Sequence, residues 1–366
     1  MPSNKKGVAV LQDVFRYNDW ANGKLLALCE GLSESQWDAP HAMGFGSLRA
    51  TLFHVLVADE LWQDRLESKP WAPLPTDERQ IALAELHVRY AAVAERRRRI
   101  LQQEHSTGYE RLVEYMNTER QSFRHRLWEL LLHLANHSIH HRAQALNMLR
   151  RQQRTVPGGL DYLFYKLAHP SLPQPPEMAA LVRSWKFDVG EAAGESPQFQ
   201  AERLRQYCDY GNWATDLLLT AAGDVELGAW TRDFEIGPGS LQKTLSHVLD
   251  AERWWLGNLT QSAGEFATTE ETISPTELRS RWRQHVTDRT AWLAMQSDAS
   301  LGDAVTGTVS GGLLQFRRGE VLLQLCGHGT HHRAQVVNIF RRLDERIPAL
   351  DFVAWLRLGS PVPHPL

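Results

Sequence analysis

His137-Ser138-Ile139-His140-His141-Arg142-Ala143-Gln144 recurs as His328-Gly329-Thr330-His331-His332-Arg333-Ala334-Gln335, an offset of 191 residues. Two properties of this stretch decide the fold. Histidines four apart share one face of an α-helix, with Cβ atoms about 5–6 Å apart, so the motif reads as helical. Its repetition also asks whether the whole chain is written twice. Upstream it is, at an offset of 193: Tyr17, Trp20, Ala21, Trp37, Gly46-Ser47-Leu48, Thr51-Leu52 and His54-Val55-Leu56 return as Tyr210, Trp213, Ala214, Trp230, Gly239-Ser240-Leu241, Thr244-Leu245 and His247-Val248-Leu249. Downstream, Leu160-Asp161-Tyr162 answers to Leu350-Asp351-Phe352. A period this long is that of a duplicated domain, not of a solenoid.

The boundaries follow. The first domain is expected at about 8–168 and the second at about 200–358. Residues 169–199 form a Pro-rich linker beginning at His169-Pro170, with a short helix expected over Glu177–Trp185 and a turn-rich stretch from Gly190 to Pro197. Within each copy, Ser47 and Ser240 are N-caps ahead of apolar residues at helical spacing. Ser274-Pro275-Thr276-Glu277 is a capping box with proline at the first helical position; it opens a helix towards Met295, whose counterpart opens near Thr76-Asp77-Glu78. The fourth helix is expected over Ser122–Arg150 and Gln315–Arg342. Four long helices per copy without alternating strand patterns predict an all-α chain of two consecutive four-helix bundles.

The total of 366 residues leaves room for two such domains, and 43% apolar with 23% charged residues is the composition of a globular chain. A formal charge of −3 gives no basic footprint for nucleic acid. Cys29, Cys208 and Cys326 are scattered and odd in number, which speaks for a reducing compartment. No apolar run approaches a membrane span, and MPSNKKGVAV lacks the apolar stretch of a signal peptide. The expectation is a cytoplasmic protein with neither nucleic acid nor membrane as partner.

Sixteen histidines are the outstanding feature. His137 and His141 can converge on one cation, and the lone helix-two histidine, His54, supplies a third ligand; His247, His328 and His332 form the equivalent set. Thr51 and Ala58, recurring as Thr244 and Ala251, leave room beside the helix-two imidazole. Gln144 and Gln335 either line the open side of the metal or bond a ligand's free nitrogen, unless they serve the backbone of the bundle. His140 and His331 are turned about 100° from the second ligand and belong behind it. His133 has Gln324 as counterpart, against an essential role. Arg142 and Arg333 point off the ligand face and read as structural salt bridges. Asp59 and Glu252, about 140° from the helix-two histidine, anchor those arginines or solvate a surface. Asp250 faces the site in the second copy only, where the first has Val57. Arg96 to Arg99 read as a solvated helix face, and Cys326, matched by Ala135, as core. Three neutral imidazoles leave a divalent cation its full charge and an open position, the arrangement of sites that activate water or a thiol.

These motifs together, Tyr-x-x-Trp-Ala, Thr-Leu-x-His-Val-Leu, His-x-x-His-His-Arg-Ala-Gln and Leu-Asp-Tyr/Phe, resemble the DinB-like (DinB/YfiT-like) metalloenzyme family over most of the chain, in tandem. The resemblance implies up-down-down-up bundles and a nickel, zinc or iron ion in each, held by His54, His137 and His141 and by His247, His328 and His332. It implies a monomer packed as an intramolecular pseudo-dimer, or a homodimer. Relatives of this kind include thiol-dependent S-transferases and isomerases, and bundles supplying iron ligands in sulfoxide synthases, which carry an additional catalytic domain. The expected function is a metal-dependent S-transferase joining a low-molecular-weight thiol to a small electrophile. The alternatives are a hydrolase using metal-activated water and a non-catalytic metal-binding stress-response scaffold.

Overall fold

The computed structural model describes residues 8–73, 81–103, 108–156, 159–173, 175, 197–264, 266–269, 271–309 and 312–362. The expected helix over Glu177–Trp185, the stretch from Gly190 to Ser196 and the helix start near Thr76 lie outside them. The chain is mostly helical. In the first copy, α1 (Val10–Leu28), the short α2 (Glu34–Trp37), α3 (Leu48–Leu66), α4 (Leu83–Gln103) and α5 (Leu127–Arg151) are followed by α6 (Tyr162–Ala168). In the second, α7 (Ala201–Ala222), α8 (Leu227–Thr231), α9 (Leu241–Leu259), α10 (Pro275–Ala294) and α11 (Arg318–Arg342) are followed by α12 (Phe352–Arg357). Three two-stranded ribbons accompany the helices: β1 (Val8–Ala9) parallel to β4 (Pro197–Gln198), and the hairpins β2 (Leu112–Met116) with β3 (Ser122–Arg126) and β5 (Ala304–Val309) with β6 (Gly312–Arg317).

The serine caps act as their positions require. Ser47 accepts from Ala50 N, Ser240 from Lys243 N and Ser274 from Glu277 N, each satisfying a backbone donor of the first helical turn.

The hairpins correct the expected start of helix four. Residues 122–126 are strand, and α5 begins at Leu127, where Glu129 accepts from Arg126 N at 2.8 Å; in α11 Glu320 accepts from Arg317 N at 2.9 Å. The physical reason is an alternation too short to stand out. Val113 and Tyr115 turn inward between exposed neighbours, and Asn117 Oδ1 closes the turn by accepting from Glu119 N and Gln121 N.

Packing divides the chain into two units. One comprises Leu11–Thr155 with Pro348–Ser360, the other Met1–Val10, Val156–Ile347 and Pro361–Leu366. The closing helix of each copy therefore belongs to the other copy's unit. Aromatic and apolar residues of these short helices fill core positions: Tyr162, Tyr165 and Leu167 of α6, and Phe352 and Trp355 of α12, are buried. Polar contacts hold α6 as well. The buried Lys166 ammonium meets the buried Glu320 carboxylate of α11 at 3.1 Å, and Gln324 accepts from Leu163 N and donates to Asp161. On the first unit, Asp351, which caps α12 through Ala354 N, lies 3.8 Å from His133 Nδ1 of α5. No described helix is long and apolar enough to cross a membrane.

Candidate metal centres

Each unit gathers the three expected histidines. His54 from α3 meets His137 and His141 from α5, and His247 from α9 meets His328 and His332 from α11, each set with one nitrogen per ring within 4.8 Å of the others. The Nε2 atoms of His54 and His137 are 3.0 Å apart; those of His247 and His328, and of His328 and His332, are 3.1 Å apart. Ligands at roughly 2.0–2.1 Å from a common ion and at about a right angle to one another stand about 3.0 Å apart, so the spacing suits one first-row divalent cation per set.

Protonation suits it too. Burial pushes His54 down to about 3, with His141 adding to the effect, and His328 down to about 4, against the pull of Asp161. Burial likewise holds His137 and His332 well below the usual histidine range and lowers His247. All are neutral near pH 7, with lone pairs available to a cation.

The glutamines orient the rings. Gln144 Oε1 lies 2.7 Å from His141 Nδ1, and Gln335 Oε1 lies 2.8 Å from His332 Nδ1. An amide oxygen only accepts, so Nδ1 carries the proton and the Nε2 lone pair faces the cluster. The amide nitrogens then donate to His140 Nε2 at 3.2 Å and His331 Nε2 at 3.0 Å, which places those two histidines behind the ligands, as their helical angle predicts. Of the roles open to Gln144 and Gln335, the geometry is that of a bond to the free ring nitrogen of a candidate ligand, His141 or His332.

Glycine makes this possible. Gly44 and Gly237 both have φ of 55°, a conformation costly to other residues, and a Cβ on Gly237 would land on the Gln335 amide. Thr51 ties the same loop down, its hydroxyl donating to Ser47 O at 2.7 Å and accepting from Phe45 N at 3.2 Å. Phe45 stacks on His54 with ring centroids 3.8 Å apart, a contact for which the sequence offers no signal.

Several expectations are corrected. Arg142 and Arg333 form no salt bridges among the described residues. Arg142 donates to Asn18 and Asn22 at 3.0 Å and to the Tyr17 hydroxyl at 2.9 Å; Arg333 donates to Thr330 at 2.9 Å and lies over the Tyr210 ring. The helices they face present neutral acceptors and an aromatic face. Asp59 and Glu252 are neither their partners nor surface groups. Asp59 is bound by Arg97 of α4, which also reaches Asp19, and Glu252 by Arg289 of α10, which also reaches Asn212. Arg97 is thus a buried member of a run that otherwise faces outward, with Arg98 and Arg99 beside Glu95. Asp250 does not join the ligand set; its carboxylate accepts from Thr269 N and Oγ1 at 2.7 and 2.8 Å and holds a loop. Cys326 is core as expected, but it faces Cys208 with sulfurs 3.7 Å apart, a proximity that 118 residues of separation conceal.

Fold and site together define a duplicated helical domain, each copy carrying a three-histidine cluster able to hold a metal ion. The DinB family model matches residues 1–177 and 198–359, and the chain belongs to that family, with its domain present twice. No curated protein and no solved structure matches the chain.

Proposed function

We propose that the chain is a metal-dependent enzyme with one metal per unit, acting as an S-transferase that joins a small thiol to an electrophilic metabolite or toxin. The observation that carries the reading is the twofold convergence of three imidazoles with no protein carboxylate or thiolate among the described ligand sets. A divalent cation so held keeps its full charge and supplies Lewis acidity towards a thiol or water.

The protein's own groups have defined tasks. His54, His137 and His141, and equally His247, His328 and His332, bind the cation. Gln144 and Gln335 hold one ring of each set in the liganding tautomer through the bonds described above. Burial keeps protons off the ligand nitrogens at neutral pH. Among the described residues, Asp59 beside the first set is paired with arginine; beside the second, Glu252 is paired with arginine, Asp250 is held by Thr269, and Asp161 bears on His247 and His328. This favours a reaction in which the nucleophile's acidity does the work, and a thiol deprotonates more readily than water. Hydrolysis by metal-activated water is the nearest alternative.

The test is elemental analysis of tag-free protein followed by a conjugation screen of low-molecular-weight thiols against small electrophiles, with His141→Ala, His332→Ala and the double variant. Metal and thiol consumption together, both lost in the double variant, are the expected result. Protein without stoichiometric metal, or a double variant with full activity, overturns the reading. Water addition without thiol consumption selects the hydrolase.

A further inference from the structure

The first unit contains a cavity of about 690 Å³ at the C-terminal end of α3, roofed by the β2–β3 hairpin and walled by Trp71, Tyr115 and Phe123. Its size is that of small-molecule pockets, which are typically apolar with a few placed polar groups. The placed group here is Arg65. Its guanidinium lies over the rings of Trp62, 4.6 Å from the centroid, and Tyr115, at 5.7 Å. Its Nε is buried with no hydrogen-bond partner among the described residues. Among the described residues no carboxylate balances it; the charged or ionisable groups that bear on it there are Tyr115 and a second cation, Arg357, which itself lies 4.4 Å from the Phe123 centroid. Burial lowers Arg65 to about 10, so it remains charged at neutral pH. Of the acidic residues lining the cavity, Asp64 is held by Arg96 at 2.6 Å and by Lys69 at 3.0 Å, leaving Glu114 on the exposed edge of the hairpin.

A half-buried cation without a counter-ion is costly, and its usual resolution is an anion from outside the chain. At the equivalent positions of the second unit, among the described residues, the cation is replaced and an indole fills the space. Trp254 stands at the position of Leu61, Asn258 at that of Arg65, and Gly307 at that of Tyr115. The Trp254 indole packs edge-on to Trp255 and Phe266 and donates to Gly264 O. A Cβ on Gly307 would approach it to 2.8 Å, so the glycine makes room for the ring that fills the space. Asn258 donates to Trp254 O at 2.8 Å.

We propose that this cavity is a binding site, present in the first unit only, for a small organic anion whose carboxylate, sulfonate or phosphate meets Arg65 and whose apolar body lies against Trp71 and Phe123. The site is separate from the histidine cluster and does not depend on the activity proposed above. The test is titration of the full-length protein with para-fluorobenzoate, followed by fluorine NMR, with phenyl phosphate as competitor and para-fluorobenzamide as the uncharged comparison. Saturable binding of the benzoate, displacement by phenyl phosphate and at least about tenfold weaker binding of the amide are expected, as charge-assisted hydrogen bonds require. Arg65→Met reduces benzoate affinity at least about tenfold while keeping the wild-type metal content and melting temperature, and Arg65→Lys restores part of it. Leu61→Trp, which imports the indole of the second unit, abolishes binding with the charge in place; if that variant does not fold, Arg65→Met decides alone. Absence of saturable binding, equal affinity for the amide, or unchanged affinity in Arg65→Met overturns the proposal.

Discussion

The first histidine set is half-buried, with the half-exposed Phe45 ring stacked on His54; in the second, His328 and His332 are buried and Pro238 takes the place of Phe45 in the loop. Around these sets the copies differ freely: His133 against Gln324, Val57 against Asp250, Arg65 against Asn258. Within them the copies agree on the three imidazoles, the glutamine that orients one ring, the glycine with φ of 55° that admits the glutamine, and the serine that caps the helix-two start. What the copies share is what liganding geometry demands. What they do not share alters access, charge and neighbouring cavities, so the two histidine sets are equivalent as candidate metal cages and different as surroundings.

The largest expected effect tests the equivalence. Wild-type protein holds two equivalents of metal per chain, His141→Ala one, His332→Ala one and the double variant none, as read by elemental analysis after dialysis. Two neutral imidazoles and solvent do not retain a divalent cation as three do. A single substitution that empties both sites, or neither, breaks the picture of two independent cages.

Next come the buried arginines. In the second unit Glu252 is, among the described residues, the only carboxylate bonded to Arg289, with His285 donating to the same oxygen at 3.0 Å; in the first, Arg97 keeps Asp19 when Asp59 is removed. Glu252→Ala therefore strands a buried cation and costs about 3–5 kcal/mol in urea unfolding, whereas Asp59→Ala costs roughly half as much or less. Equal losses would mean that Asp19, at the partly exposed edge of α1, does not hold the pair.

Acid should separate the same two clusters. The Arg289 guanidinium and His285 hold the Glu252 carboxyl down to about 2 despite its burial, below the 4.5 of an unfolded glutamate. A depressed carboxylate contributes stability that is full above the unfolded value and lost as pH falls through the folded one, here between about 4.5 and 2, amounting to about 3 kcal/mol. Asp19 runs the other way: burial raises it, Arg97 notwithstanding, so its ionised form is not favoured by folding. Amide exchange in α9 should accelerate relative to α3 as pH is lowered from 5 towards 3. Faster exchange in α3 would reverse the assignment.

The sites were legible because their signals are local or repeated. Two histidines four apart specify a face, a capping serine specifies a helix start, and two copies with their offsets specify that both belong to one plan. The rest depended on distances that chain order hides. Arg97 reads as one of four arginines in a row until Asp59 and Asp19 are known to meet it from other helices. The exchange of α6 and α12 between units is invisible in sequence, because Leu160-Asp161-Tyr162 would close either bundle equally well; its partners in α11 are Glu320, which has a counterpart in Glu129, and Gln324, which stands where α5 has His133. The hairpin ahead of α5 does not stand apart from the helix in sequence because its five-residue alternation runs directly into a strongly apolar helical stretch.

The smallest effect probes the loop behind each ligand. Alanine at Gly44 or Gly237 carries the same penalty for a left-handed backbone, about 1–2 kcal/mol, so any further difference comes from what the new Cβ meets. At Gly237 it meets the Gln335 amide, a flexible group that yields by leaving His332 and His331. At Gly44 it meets first Thr51 Oγ1 at 2.6 Å, a β-branched side chain held by Ser47, with Gln144 Oε1 at 3.2 Å, so the loop moves and the glutamine largely stays. Gly237→Ala should weaken metal binding at the second site by about 10–100-fold, the usual cost of losing a partner behind a ligand, and Gly44→Ala should weaken the first by less than about fivefold. Chelator competition reads each site alone, in the His141→Ala and His332→Ala backgrounds respectively. If Gly237→Ala acts through the glutamine, it adds little to Gln335→Ala, because the bond it breaks is already gone; an additive loss would place the effect in the loop and leave the two copies alike at this position.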